Sequence, residues 1–297
     1  MHIFITGGTG LIGSALIKVL TDKGYTITVL TRNVSKAREK LGDGITYISS
    51  LEDLSSLDGY QAVINLAGES IVGKRWTKKR KERLCSSRWD ITRRLTELIK
   101  LSETPPSIFI SGSATGYYGA QGDNMLTENS DPRNGFTFQL CKKWEALAIA
   151  AETVKTRVCV LRTGVVLSKE GGMLPILVMP FRLGLGSVFG KGNQYMSWIH
   201  IDDMVNGIVY LLETTEAQGC FNLTAPNPVT NKRFANILSA TLSRPRIFRI
   251  PGFILKNIMG ESATMVIDGQ RVIPQRLTDL RYRFFFEQID EALQDLL

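Results

Sequence analysis

The chain opens Met1-His-Ile-Phe-Ile-Thr-Gly-Gly-Thr-Gly-Leu-Ile-Gly13, and the reading of these residues decides the fold. His2 to Ile5 predicts a short buried strand. Gly7, Gly10 and Gly13 follow at GxxGxxG spacing, after which Leu11, Ile12, Ala15, Leu16, Val19 and Leu20 recur at helical spacing. A strand, a glycine turn and a helix in that order make a phosphate site. Glycine permits a tight turn and the close approach of a pyrophosphate, and the helix N-terminus offers unpaired N–H groups and the positive end of the helix dipole. Gly7, Gly8, Thr9, Gly10, Leu11, Ile12 and Gly13 are therefore the expected seat of a dinucleotide. A glycine triplet alone is also compatible with a plain structural turn. Its place between two such elements at the head of the chain favours the nucleotide.

Working outward, Thr26 to Leu30 predicts the second strand, followed by Thr31-Arg32-Asn33. Many NAD-dependent proteins carry an Asp or Glu here for the ribose 2′-OH; an acid would repel a 2′-phosphate, whereas a guanidinium pairs with it as a fork. Arg32 therefore selects NADP(H), against the alternative of a solvated loop arginine. Ile45 to Ile48 predicts the third strand, with Ser50 and Leu51 placed for an adenine. Ala62 to Asn65 predicts the fourth, running into the small-residue turn Leu66-Ala67-Gly68-Glu69. A long helix over Thr77–Ser102 ends before Pro105 and Pro106. A fifth strand, Ser107–Ser111, a helix over Phe136–Thr153 and a sixth strand, Arg157–Leu161, follow. Alternating strands and helices imply a parallel sheet with right-handed crossovers, an α/β doubly wound arrangement.

After Leu167 glycines crowd the chain up to Gly192, which suggests a substrate lobe or lid. Asp202 is expected to cap a helix over Met204–Leu212. Cys220–Leu223 predicts a strand, and helices near Lys232–Leu242 and Glu287–Leu296 close the chain. The expected division is a cofactor part, 1–167 with about 201–225, and a smaller C-terminal substrate lobe, 168–200 with 226–297.

Composition sets outer bounds. The 297 residues are 43% hydrophobic, enough for a sizeable core. No charged leader precedes the apolar start and no stretch approaches the ~18 apolar residues of a membrane span, so a cytoplasmic protein without a membrane partner is expected. The four cysteines are scattered without a CxxC pair, which argues against zinc or a disulfide framework. The net charge of +8 is most visible in the run from Lys74 to Arg83. Such a run can bind nucleic acid. No recognisable nucleic-acid motif accompanies it, and a solvated helix face is the reading adopted.

Taken together, the opening glycines, Ser111-Gly112-Ser113-Ala114-Thr115 and Ile199-His200-Ile201-Asp202-Asp203 resemble the extended short-chain dehydrogenase/reductases. The chain is more similar still to an atypical branch, the YfcH-like epimerase-family proteins. Its landmarks stand here as Asn65–Glu69, Ser111–Gly119, Trp144-Glu145, Arg162–Leu167, Ser197–His200 and Gly269–Pro274. The resemblance spans nearly the whole chain. It implies a Rossmann-type doubly wound parallel sheet with a smaller C-terminal substrate lobe, and names no substrate; with Arg32 as read above, the expectation is NADP(H) as cofactor, a small-molecule substrate, and a monomer or homodimer.

The chemistry departs from the superfamily at one place. Short-chain dehydrogenases carry Ser/Thr with Tyr-x-x-x-Lys; the tyrosine passes the proton that accompanies hydride transfer, and the lysine lowers its pKa. Ser113 matches the serine. The tyrosine and lysine positions fall either on Phe138 and Lys142 or on Thr137 and Cys141, the register that the branch's pattern favours, and neither supplies a tyrosine. Tyr117 and Tyr118 are then the nearest donors, followed by Glu69, Cys141 and His200. Each has a structural alternative: the tyrosines as packing residues, Ser113 as a turn cap, His200 as a fixture of the loop between lobes. Arg88 and Arg162 are placed with the cofactor residues, and Gln194, Trp198 and His200 with the substrate. An NADP(H)-dependent oxidoreductase or epimerase is the favoured expectation; a non-catalytic NADP(H)-binding redox sensor or partner-binding module is the alternative.

Overall fold

A computed structural model describes residues 1–297. Its central sheet contains β1 (His2–Thr6), β2 (Thr26–Leu30), β3 (Thr46–Ile48), β4 (Ala62–Asn65), β5 (Ile108–Ala114), β6 (Arg157–Thr163) and β7 (Gly219–Leu223). The spatial order is β3-β2-β1-β4-β5-β6-β7, and every neighbouring pair is parallel. The strands are short apolar runs such as Ile3-Phe4-Ile5 and Ala62-Val63-Ile64, because helices cover both faces and neither side alternates toward water. The order reverses between β1 and β4, and the crevice beyond their C-terminal ends is the switch point at which open α/β sheets bind ligands.

The helices are α1 (Leu11–Asp22), α2 (Val34–Leu41), α3 (Lys78–Leu101), α4 (Phe136–Ile149), α5 (Met173–Arg182), α6 (Ile201–Glu213), α7 (Asn231–Thr241) and α8 (Gly252–Met259), with shorter turns and a last helix, Ile289–Leu296. On one face of the sheet Leu16 and Leu20 of α1 and Ile208 and Leu212 of α6 pack on Ile3 and Ile5. On the other, Leu95 and Leu98 of α3 and Ala148 of α4 pack on Phe4, Val63 and Phe109. A separate core joins Leu174 and Val178 of α5, Trp198, Phe234 and Leu238 of α7, and Leu293 of the last helix.

Three local expectations are corrected. Strand β5 does not stop at Ser111 but continues to Ala114, because β6 stays in register beside it and sets Ser113 opposite Arg162. Helix α6 starts at Ile201, and its cap is His200, whose Nδ1 accepts from the Asp202 N–H at 3.1 Å. Asp202 is exposed; the buried acid is Asp203, which accepts from the Phe285 and Phe286 N–H groups at 2.8 and 2.9 Å. The glycine-rich stretch after Leu167 holds α5. That helix carries Pro175 in its first turn, where a missing N–H costs no hydrogen bond, and Pro180 in its interior, where one is lost.

Candidate functional site

The glycine turn is shaped by close approach. A Cβ at Gly7, which has φ +72°, would lie 2.5 Å from the Leu66 carbonyl oxygen, and a Cβ at Gly13 would collide with the Gly7 carbonyl oxygen. The first turn of α1 has no side-chain cap and no acidic residue. Its N–H groups and dipole end are left for an anion. Lys40 reaches back from α2 to donate to the Thr9 carbonyl at 2.9 Å, adding positive charge beside the turn.

At the end of β2, the Thr31 N–H is paired with the Ile48 carbonyl and Asn33 caps α2. Arg32 between them is exposed and makes neither a hydrogen bond nor an ion pair in the protein. A free guanidinium at this sheet edge fits a 2′-phosphate. Beyond β3 the Ser50 hydroxyl accepts from the Glu52 N–H at 3.0 Å. The Leu51 side chain belongs to the core beneath the sheet, so it offers an adenine no apolar surface; that expectation is corrected.

The turn after β4 is built from buried Asn65. Its side chain accepts from Thr6 at 2.6 Å and donates to Thr92 at 2.8 Å, tying β4 to β1 and α3. Leu66, Ala67 and Gly68 then pass over the glycine turn. Arg88 does not aim at a phosphate. It donates to the Leu84 and Glu69 carbonyls at 3.0 and 2.9 Å and lies against Gly68, so it shapes this turn from behind. Glu69 is paired with Arg80 and with Arg83. The Arg80 hydrogen bond holds its carboxyl below the usual range, which removes Glu69 as a proton donor.

Beyond β5 lies a buried network that the sequence did not announce. Ser113 donates to Glu145 Oε1 at 2.6 Å, and Arg162 grips the same carboxylate with Nε and Nη2 at 3.0 and 2.9 Å. Arg162 also donates to the Tyr118 hydroxyl at 3.0 Å and to the Glu128 carbonyl at 3.1 Å. Tyr118 in turn donates to Asn222 on β7 at 2.6 Å. Burial opposes the charge on Arg162, but the hydrogen bonds to Glu145 outweigh it and hold the guanidinium more firmly protonated than usual. Arg162 is therefore corrected from a cofactor residue to the anchor of this network.

Helix α4 resolves the tyrosine–lysine register. Cys141 is buried, with its thiol 3.8 Å from the Ala114 carbonyl, whereas Lys142 is exposed. Thr137, Cys141 and Glu145 are spaced i, i+4, i+8 and so share the helix face that meets β5. Glu145, one turn beyond the lysine position, takes hold of the serine. Burial pushes the Cys141 thiol up to about 12, so it is neither thiolate nor ready acid at neutral pH. Tyr118 is 0% exposed, and burial raises its hydroxyl to about 12. With its proton on Asn222 it is corrected to a structural residue. Tyr117, one residue earlier, is half-buried, with the Arg162 guanidinium 3.6 Å from its ring centre. Burial keeps that phenol protonated above its ordinary range.

The expected substrate residues do not converge. Trp198 is wholly buried in the second core, donating to the Asn227 carbonyl at 3.0 Å. Gln194 donates to the Phe189 and Val266 carbonyls at 2.9 and 3.0 Å, pinning its loop. His200 is stacked on Phe286 with ring centres 3.9 Å apart, and burial lowers its pKa. Trp198 is corrected to scaffolding, His200 takes the structural role weighed for it in the sequence, and Gln194 is held by the protein's own carbonyls.

The chain matches a family model described as NAD dependent epimerase/dehydratase family over residues 3–224, and a domain of unknown function (DUF1731) over 250–296. It is similar to the epimerase family protein SDR39U1 homolog, chloroplastic, of Arabidopsis thaliana, 37% identical over 100% of this chain and 87% of that one. It is also similar to the epimerase family protein YfhF of Bacillus subtilis (strain 168), 34% identical over 100% of this chain and 98% of that one. Among solved structures, human epimerase family protein SDR39U1 (isoform2) with NADPH superposes with a TM-score of 0.90 at 32% identity, covering 100% of this chain and 99% of that chain. UDP-glucuronic acid 4-epimerase from Bacillus cereus, in complex with UDP-glucuronic acid and NAD, gives a TM-score of 0.80 at 18% identity over 100% and 98% of the two chains, a likeness of fold alone. With the opening glycine turn, the seven-stranded parallel sheet and full-length relatives in agreement, the chain belongs to the NAD dependent epimerase/dehydratase family.

Proposed function

We propose that this protein binds NADP(H) at the edge of β1, β2 and β4 and acts as a hydride-transferring oxidoreductase or epimerase on a small hydroxyl- or carbonyl-bearing substrate. The uncapped α1 and the glycine turn would hold the diphosphate, and Arg32 with Lys40 would hold the 2′-phosphate. The human relative's structure with NADPH supports this cofactor. The cofactor, when bound, supplies hydride chemistry at the nicotinamide C4. Residues 1–167 with about 201–225 would form the cofactor part, and 168–200 with 226–297 the substrate lobe.

The observation that carries the catalytic reading is the Ser113–Glu145 hydrogen bond of 2.6 Å. With its proton on a buried carboxylate, Ser113 Oγ meets a ligand as an acceptor. A substrate hydroxyl fits that preference better than a carbonyl. Tyr117 keeps its proton and, unlike Tyr118, is only half-buried, so it is the group we assign to donate when a carbonyl is reduced. Thr137 and Cys141 in the tyrosine and lysine positions favour a second reading, a non-catalytic NADP(H) sensor.

Calorimetry with NADPH, followed by absorbance at the reduced nicotinamide band across carbonyl compounds and sugar nucleotides, separates the two. Turnover that falls in Ser113→Ala and Tyr117→Phe, with NADPH affinity unchanged, supports catalysis. Tight binding without turnover on any substrate supports the sensor, and no NADPH binding overturns both.

A further inference from the structure

We propose that the tip of the C-terminal lobe, formed by α5, the strand pair Gly186–Phe189 with Arg246–Ile250, and α8, docks on an anionic lipid surface. Two independent features coincide there. The first is charge. Residues 171–201 and 217–260 contain eight Lys and Arg and no Asp or Glu, so they carry the whole net charge of +8 and leave 28 of each sign elsewhere. None of those eight cations has an ion-pair partner in the protein, whereas Arg80, Lys81 and Arg83 of the conspicuous basic run are all paired. The run that looked like the electrostatic signature is partly neutralised; these two segments are not.

The second feature is apolar exposure. Helix α5 buries Leu174, Val178 and Phe181 and turns Ile176, Met179 and, just past its end, Leu183 outward, the latter two 65% and 67% exposed. The strand pair is bulged at Ile247, since Gly186 faces Arg246 while Ser187 faces Phe248, and Ile247 is 66% exposed. Helix α8 follows through Pro251 and buries only Leu255, leaving Phe253 and Ile258 67% and 65% exposed. Arg182, Arg246, Arg249 and Lys256 alternate with these side chains along the same three elements, and Arg244 lies just before the strand. Large apolar groups interleaved with unpaired cations are what an interfacial segment needs: the apolar groups enter the headgroup–acyl boundary while the cations meet anionic headgroups. A second copy of this chain fits less well, because pairing the face with itself would set five unpaired cations against five. No helix is long and apolar enough to cross a membrane. The contact proposed is peripheral, and it is independent of what occupies the cleft.

The experiment is co-sedimentation of the full chain with phosphatidylcholine vesicles, with and without phosphatidylglycerol. Binding is expected only with the anionic lipid, and it should fall as salt is raised. Phe253→Ser/Ile258→Ser and Arg246→Glu/Arg249→Glu should each abolish it. A single Arg249→Gln should weaken it roughly five-fold, the usual effect of one cation beside an anionic leaflet. Far-UV circular dichroism and NADPH affinity, unchanged in the variants, exclude misfolding; a variant that fails these controls is replaced by Lys256→Gln/Arg182→Gln. Equal binding to neutral vesicles, no binding to anionic ones, or variants that bind as wild type overturn the proposal. So does a wild-type dimer in sedimentation velocity that Phe253→Ser/Ile258→Ser converts to monomer without any vesicle binding.

Discussion

Replacing Glu145 with leucine tests whether the Ser113–Glu145–Arg162 network is built as described. The side chains of Glu145 and Arg162 are 6% and 5% exposed. Removing the carboxylate strands a guanidinium whose Nε and Nη2 lose their acceptors, together with the Ser113 hydroxyl. Breaking one half of a buried ion pair costs about 3–5 kcal/mol, because the remaining charge is left without compensation. At this chain length a kcal/mol shifts the melting temperature by roughly 2 °C, so the variant should melt roughly 6–10 °C lower. Glu145→Leu/Arg162→Met removes both charges and should recover at least half of that loss, as apolar replacement of buried pairs usually does. The remainder reflects the Tyr118 and Glu128 hydrogen bonds that Arg162 also makes. Scanning calorimetry and urea titration of the two single variants and the double variant give the coupling directly. A Glu145→Leu protein melting with wild type, or a double variant whose loss is the sum of the singles, would refute the network.

Three further outcomes are expected. Arg32→Ala should weaken NADPH about ten- to a hundred-fold in calorimetry, in line with loss of a charge-assisted fork of about 1.5–3 kcal/mol, and leave NADH unchanged; equal loss for both cofactors contradicts the assignment to the 2′-phosphate. Gly13→Ala places a Cβ on the Gly7 carbonyl oxygen, so NADPH binding should disappear and the melting temperature fall, whereas Gly24→Ala, where nothing lies near but φ is +78°, should cost stability without touching cofactor affinity. His200 has a folded pKa lowered from 6.5 by burial. Its contribution is present above pH 6.5 and is lost as pH falls through the folded pKa. His200→Asn, which can keep the cap on the Asp202 N–H, should flatten the decline of melting temperature below pH 6.5 relative to wild type; parallel curves would exclude this role.

What the sequence could and could not disclose divides by the range of the contacts. The glycine turn was legible because strand, turn and helix lie within 22 residues and each states its own requirement. Arg32 was legible for the same reason: its position at the end of β2 is set by local chain direction, and its freedom to meet a phosphate needs only that nothing else claims it. Tyr117 and Tyr118 were not distinguishable. They are adjacent at the end of one 3₁₀ turn, and only the position of Asn222 on β7, 104 residues further on, decides that Tyr118 faces inward. Ser113 was expected in a turn because nothing within its own segment shows that β6 continues beside it. Arg162, Trp198 and Gln194 cannot be told from ligand residues in the sequence alone, because a polar or aromatic side chain looks alike whether it faces a ligand or a backbone carbonyl.

Glu145 enters the sequence reading only as half of the Trp144-Glu145 landmark, with no role attached. A carboxylate on a helix, between a tryptophan and an alanine, has no local feature that separates it from a solvated one. Its i, i+4, i+8 relation to Thr137 and Cys141 does carry a signal, once Cys141 rather than Lys142 is seen to face β5. The superfamily's lysine holds a cation one turn from the tyrosine. Here the cation comes instead from the neighbouring strand, as Arg162, and reaches the serine through Glu145. Such an exchange reverses the serine's hydrogen-bonding sense. A lysine-and-tyrosine site leaves the serine free to donate to a carbonyl; a buried carboxylate takes that proton and turns the serine into an acceptor. In this chain the absence of Tyr-x-x-x-Lys and the presence of Glu145 beside Ser113 act together, and under the proposed function they would decide which ligand group can lie against Ser113, not merely how fast a proton moves.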